Sequence, residues 1–406
     1  MIRTATDRDL EPVLEMLSAE FGLDPNEDTV ERERLRFEPE RNQMVVTADG
    51  DIVGNAGVYS AQLTVPGAAL PAALVTAVSV AAPHRRRGLL THLMTRLLAD
   101  ARARAEPLAV LWASEGRIYQ RFGYGLATRN APMSIESREV SLRAGARGQG
   151  RLRTCPPAVV RSELEQVYKR VSIDRPGWFS RGERWWSSLI VDPKSARCGA
   201  TARRATLYER DGAVEGYVIW RMKPGFTAAG PAGEVLVVEL VAATTEATVE
   251  LWRHLLTMDL TRTVRTEYGA IDDPLGHLVD EPRRLGMRAM DGLWLRIIDL
   301  PSALTGRRYA APVEAVFDVR DALLPENAGR WRLRVGADGA GSCERSPGAD
   351  PDLACDIADL GAVYLGGVPL GRLVDAGRVR QLRSGAVREV GAAFGWHRDP
   401  APMEMF

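Results

Sequence analysis

Apolar positions recur along the first third of the chain with two alternating periods. Leu10, Val13, Leu14, Leu17 and Phe21 stand at three- and four-residue spacing, which predicts a helix with one buried face. Thr6 with Asp9 three residues on resembles a capping box at its start, and Asp24-Pro25-Asn26 breaks it. A second, strongly charged helix is predicted from Asp28 to Phe37. Met44–Thr47 and Ile52–Tyr59 flank Asp49-Gly50 and read as a hairpin, and Gln62–Val65 and Leu74–Val80 as two further strands around Pro66-Gly67. After Arg85-Arg86-Arg87-Gly88, a helix is marked by Leu89, Leu90, Leu93, Met94 and Leu97. Leu108–Trp112 reads as a short buried strand, followed by a helix carrying Ile118, Tyr119 and Phe122.

The pattern then restarts. Residues 131–150 end in SLRAGARGQG, a linker composition. Between 151 and 300 the chain predicts a helix, a hairpin around Asp211-Gly212, strand Glu234–Val241, helix Thr248–Leu260 and strand Leu293–Ile298. Ala242-Ala243-Thr244-Thr245 stands where the first unit has its arginines. Beyond Pro301, strands at Val316–Val319 and Trp331–Val335, a loop rich in Gly, Pro and Ser, and helical stretches through Val363 and Val374 predict a small α+β domain. Three domains result, at 1–130, 131–300 and 301–406, within what 406 residues allow.

Composition narrows the function. Fifty-three Lys plus Arg balance 53 Asp plus Glu, so the chain lacks the excess positive charge of a nucleic-acid binder. No apolar run reaches the roughly 18 residues that span a bilayer, and the first residues do not form a secretory leader. A cytoplasmic enzyme with no membrane partner is expected. The four cysteines are scattered, and neither CxxC nor HxxxH spacing occurs, so no metal site is expected.

The chemistry concentrates in Val75–Leu98. A buried strand ends, Pro83 interrupts it, and a helix starts near Gly88 with unpaired N–H groups pointing outward. Arginines there oppose the helix dipole, which favours anions at that end, so a bound pyrophosphate gives them a purpose. Arg85-x-x-Gly88-x-Leu90 resembles the pyrophosphate loop of GCN5-related N-acetyltransferases, with Leu where that family has Gly or Ala. The run from Val78 to Leu90 and the stretch from Ser114 to Gly125 are similar to one branch, the enhanced intracellular survival (Eis) acetyltransferases. Asp359–Gly367 fits a sterol-carrier-protein-like domain. The resemblance implies an α/β (α+β) chain of two tandem acetyltransferase units, the second degenerate, followed by that third domain.

It also implies site residues. Val78, Ser79 and Val80 would pair with pantetheine amides of acetyl-CoA. Arg85, Arg86, Arg87, Gly88, Leu89, Leu90 and Thr91 would hold its phosphates, and Ser114 and Glu115 would line its thioester end. A Lys-like amine is neutral in only about one molecule in two thousand near pH 7, a deficit of roughly 4.6 kcal/mol, so a base is needed. A thiolate leaving group also needs an acid still protonated at that pH, and Tyr qualifies. Tyr119 matches the family's acid, with Tyr124 the competing choice. The family's base is the C-terminal carboxylate, here that of Phe406. Asp24, Glu27 and Glu404 are candidate substrate contacts for a cationic amine, whether an aminoglycoside-like molecule or a lysine side chain. Trp178, Trp185 and Trp186 are candidate stacking groups, although the adjacent pair cannot share one helix face. The resemblance implies a homohexamer. The competing reading is a non-catalytic binder of acyl-CoA or lipid.

Overall fold

The computed structural model describes residues 1–23, 27–143 and 148–406. In the first unit, β1 (Ile2–Thr4), α1 (Leu10–Phe21) and α2 (Glu27–Arg36) precede β2 (Gln43–Val46) and a long hairpin of β3 (Ile52–Val65) and β4 (Ala68–Val80). Helix α3 (Leu89–Ala103) then crosses back, so β5 (Leu108–Trp112) runs parallel to β4. The Thr6 N–H donates to the Asp9 carboxylate at 2.8 Å, which secures the entry to α1. The separate strand expected at Gln62–Val65 is the far end of β3, because the ladder to β4 runs unbroken through Ser60 opposite Ala73 and Ala61 opposite Ala72. The expected helix around Tyr119 is a single turn, α4 (Gly116–Tyr119), then a tighter 3-10 turn to Phe122; β6 (Gly125–Leu126) follows.

The second unit comprises β7 (Met133–Glu136), β8 (Arg151–Cys155), α5 (Arg161–Ser172), α6 (Glu183–Ile190), β9 (Arg204–Arg210), β10 (Ala213–Lys223), β11 (Gly233–Ala242), α7 (Thr245–Leu256) and β12 (Thr261–Thr266). Strand β13 (Leu293–Ile297) comes after it. The two sheets run β1-β2-β3-β4-β5-β13-β6 and β7-β12-β11-β10-β9-β8. Only the first sheet borrows a strand across the boundary that the sequence suggested. β7, within the expected linker, pairs antiparallel with β12. β13, expected to close the second sheet, instead pairs antiparallel with β5 and β6 in the first. Its five residues are all buried, which explains the run LWLRI but carries no sign of which sheet receives it. Residues 144–147 of the expected linker lie outside the described residues.

The third domain is a five-stranded sheet with helices Ile357–Val363, Leu370–Asp375 and Ala386–Phe394. Its first helix lies against β13 and β6, where a Cβ on Gly361 would come within 2.5 Å of the Leu295 carbonyl oxygen. A side chain on Gly125 would likewise run into the Ala358 carbonyl. These glycines make room for a docking helix. Arg296 on β13 donates to Asp321 at 2.7 and 2.8 Å, with both side chains buried. One apolar core runs from Leu63, Leu74 and Leu108 into Leu304, Phe317 and Tyr364, so the third domain and the first sheet share an interior.

Candidate active site

Strand β4 pairs with β5 only over Ala72–Val75. Among the described residues, no strand pairs with its remaining half on that side, so Val78, Ser79 and Val80 have a free backbone edge there. On the other side they are held by β3, through Asn55 opposite Ser79 and Gly54 opposite Val80. Between these two segments β4 bulges: Ala77 has a φ of 51°, and Asn55 Nδ2 donates to its carbonyl at 2.9 Å. A bulge at the point of divergence re-aims the following peptides toward the opening.

The loop beyond β4 leads into the start of α3. Arg86 and Gly88 adopt left-handed conformations, with φ of 61° and 79°. Left-handed residues in such a loop turn successive N–H groups into a concave anion cradle. Arg86 has a Cβ, so the conformation costs it of order 1 kcal/mol. Gly88 is the N-cap of α3 and supplies no capping side chain, and the first turn carries no acid. Arg86, Arg87, Gly88 and Thr91 are exposed, whereas Leu89 and Leu90 are half-buried against the first unit's core. Arg85 has a different setting: its Nε donates to the Val80 carbonyl at 3.0 Å, and its guanidinium pairs with Glu20 of α1. Glu20 also accepts the Ala82 N–H at 2.9 Å. Arg85 and Glu20 therefore brace the loop, and Arg86 and Arg87 stand exposed beside the start of α3.

Ser114 and Glu115 lie exposed between β5 and α4. Tyr119, four residues beyond Glu115, is buried, and desolvation pushes its phenol up to about 12. Its ring meets that of Tyr124 edge-on at 6.0 Å. Tyr124 is deeper still: it is fully buried, its phenol is shifted further up by burial, and its hydroxyl has no hydrogen-bond partner among the described residues.

The chain's last residues run between the two sheets. The Ala401 N–H donates to the Pro176 carbonyl at 3.1 Å, and Met403 is buried in the core with Tyr168, Trp178 and Trp186. The indole of Trp112, at the end of β5, donates to the Glu404 carbonyl at 3.0 Å. The ring of Phe406 meets that of Phe179 at 5.7 Å, 90° apart. Glu404 Oε1 accepts from Arg181 Nε at 2.7 Å and from Trp185 Nε1 at 2.8 Å. Glu27 is exposed in the first turn of α2, and Asp24 lies outside the described residues. Trp178 and Trp186 are core side chains around Tyr168. Trp185 instead faces Tyr59, Phe179 and Arg36, with the Arg36 guanidinium 5.1 Å above its ring.

Sequence reasoning passed over Arg181, Arg36, Glu20 and Trp112. Arg181 stands in the string Trp178-Phe179-Ser180-Arg181-Gly182-Glu183-Arg184-Trp185-Trp186, where a cation among aromatics was the available signal. Glu20 and Trp112 had none, because their partners lie 65 and 292 residues away. Among the described residues there is no group of three or more His, Cys, Asp or Glu able to hold a metal, and no helix is long and apolar enough to cross a membrane.

Comparison with known proteins places this geometry. Residues 1–127 and 177–297 each match an acetyltransferase (GNAT) domain, and 300–402 match a sterol carrier protein domain. An N-acetyltransferase of Streptomyces avermitilis is 44% identical over 91% of this chain and 90% of its own. The N-acetyltransferase Eis of Mycobacterium tuberculosis is 34% identical over 86% of each chain. The crystal structure of Eis1 from Mycobacterium abscessus superposes with a TM-score of 0.86 at 33% identity, covering all of both chains. A GCN5-related N-acetyltransferase from Anabaena variabilis has the same fold at 18% identity, with a TM-score of 0.86 over both whole chains. These relatives are enzymes, which sets aside the reading as a non-catalytic acyl-CoA or lipid binder. The chain belongs to the Eis family of GNAT N-acetyltransferases.

Proposed function

We propose that the chain acetylates primary amines of cationic small molecules or lysine side chains, using acetyl-CoA bound in the first unit. The observation that carries this reading is the free edge of Val78–Val80 leading into the uncapped, arginine-flanked start of α3. An extended amide-bearing arm that ends in a pyrophosphate fits that sequence of donors. Arg86, Arg87, Gly88, Leu89, Leu90 and Thr91 surround the phosphates, with Arg85 bracing the loop, and Ser114 and Glu115 flank the thioester end.

The amine attacks the thioester carbonyl directly. The new C–N bond forms, the C–S bond breaks, and two protons move. Tyr119 donates one toward the departing sulfur. Its phenol, pushed up to about 12 by burial, is fully protonated at neutral pH. The same desolvation raises the basicity of a buried thiolate, which keeps donor and acceptor matched. The carboxylate of Phe406 accepts the amine proton, and exchange with solvent resets both groups. Direct attack is favoured over an acyl-enzyme because burial pushes the thiols of Cys155, Cys343 and Cys355 up, away from the reactive thiolate.

Asp24, Glu27 and Glu404 are the proposed contacts for a cationic acceptor. Glu404 brings only one oxygen to its ion pair, and Glu27 is open to solvent. A cytoplasmic homohexamer is the proposed assembly, to be read by sedimentation. Thiol release from acetyl-CoA with polyamines, aminoglycosides and lysine peptides tests the reaction. Release with at least one cationic amine is expected. Background release with every amine, despite acetyl-CoA binding, overturns it.

A further inference from the structure

The second unit carries an arginine with a fully buried side chain that holds two carboxylates. Arg181 has no exposed side-chain surface. It meets Glu239 of β11 at 2.7 Å and Glu404 of the C-terminal tail at 2.6 Å. Its guanidinium also lies 4.1 Å from the ring centre of Tyr168 and 5.1 Å from that of Trp186. Burial opposes its charge, but Glu239 and Glu404 more than offset this and hold its pKa above the ordinary arginine value. Glu239 is itself fixed by the Tyr217 hydroxyl at 2.7 Å. The arginine is therefore positioned without any help from the tail.

We propose that Arg181 is a positioning residue for the reaction: it clamps Glu404 and thereby sets where Phe406, two residues on, presents its carboxylate. The inference rests on Phe406 as the proton acceptor. Two observations favour a clamp over a plain structural ion pair. Met405 is exposed and Phe406 only half-buried, its ring against Phe179, so the last two residues are held less firmly than the buried Met403 and the gripped Glu404 before them. Glu404 is gripped on both sides, its carboxylate by Arg181 and Trp185 and its carbonyl by Trp112. Trp112 closes β5 in the first unit, whereas Arg181 lies in the second unit, between α5 and α6. The clamp thus ties the tail to both, at a point between the two sheets. Geometry of this kind is costly to lose, because a misplacement near 1 Å in a reacting group lowers rate by about 100-fold.

The full chain tests this with Arg181→Met, Arg181→Lys and Glu404→Gln. Arg181→Met lowers kcat by about 10- to 100-fold with KM for acetyl-CoA unchanged. Arg181→Lys recovers part of the loss. Carboxypeptidase trims Met405 and Phe406 faster from Arg181→Met than from the parent, a readout independent of chemistry. Should Arg181→Met fail to fold, Glu404→Gln, at the chain's edge, is expected to give the same kcat loss and faster trimming. A chain extended by two residues after Phe406 separates the two ideas. Loss of kcat on extension together with parental kcat and trimming in Arg181→Met and Glu404→Gln overturns the clamp. Unchanged kcat on extension overturns Phe406 as the base.

Discussion

Two helices start at matching places in the two acetyltransferase units, and they start differently. Both α3 and α7 follow a strand whose far half leaves its parallel neighbour. At α3 the N-cap is Gly88, with no capping side chain, no acid in the first turn and Arg86 and Arg87 alongside. At α7 the N-cap is Thr244, whose Oγ1 accepts the Ala247 N–H at 3.2 Å. That hydroxyl also donates to Glu215 at 2.9 Å, and Glu246 stands in the first turn. The second start has one of its donors capped and two carboxylates beside it that share Arg210, so it offers an anion less than the first does. The same fold therefore has an uncapped helix start once and a capped one once. A capped helix start is the ordinary, stabilising arrangement. The uncapped one has given up that stability, as an anion site does.

The comparison can be broken at several points. The largest effect belongs to Tyr119→Phe, which removes the proposed acid from the first unit only. A kcat loss of about 10²- to 10⁴-fold with unchanged KM for acetyl-CoA is expected; a raised KM with parental kcat assigns the ring to packing instead. Next is Arg296→Met, which attacks the strand that the first sheet takes from beyond the second unit. Asp321 keeps the N–H groups of Leu323 and Leu324 but loses its buried cation. Two of the Arg296 nitrogens have no hydrogen-bond partner among the described residues, so the lower end of the range applies, about 3 kcal/mol. Denaturant titration reads it.

Thr244→Ala uncaps α7. About 1 kcal/mol of stability is lost, with acetyl-CoA affinity unchanged, as calorimetry would register. A changed affinity would bring the second unit into the site. The pH dependence follows from Tyr119. Burial raises its folded pKa to about 12, above the unfolded value near 10. Its contribution to stability is thus complete below pH about 10 and is lost as pH rises toward 12. Over the same interval the kcat profile is expected to stay level past pH 10, where an unshifted tyrosine would have lost its proton.

The elements with a local cause were legible. The periodic leucines of α1 and α3, the hairpin around Asp211-Gly212 and the Gly88 helix start all read correctly because each answers to residues within a few positions. The destinations of β7 and β13 were not legible, since neither the alternating burial of β7 nor the complete burial of β13 marks which sheet will take the strand. The candidate site shows the same division. Val78–Thr91 is contiguous, so its pattern could be read. Arg181, Trp112 and Glu404 meet only through a fold that brings residues more than 200 positions apart together. The linker's Ala144–Arg147 and the loop's Asp24 lie outside the described residues.

The central claim is that the open start of α3, and not the capped start of α7, binds acetyl-CoA. Calorimetric titration of acetyl-CoA into the parent chain and into Gly88→Asp tests it most directly. An aspartate there places a negative charge at the helix start and must adopt the left-handed φ of 79° that glycine holds. The account predicts one equivalent bound per parent chain and a Kd weakened by about 10- to 100-fold in the variant. Two equivalents per chain, or parental affinity in Gly88→Asp, would contradict it.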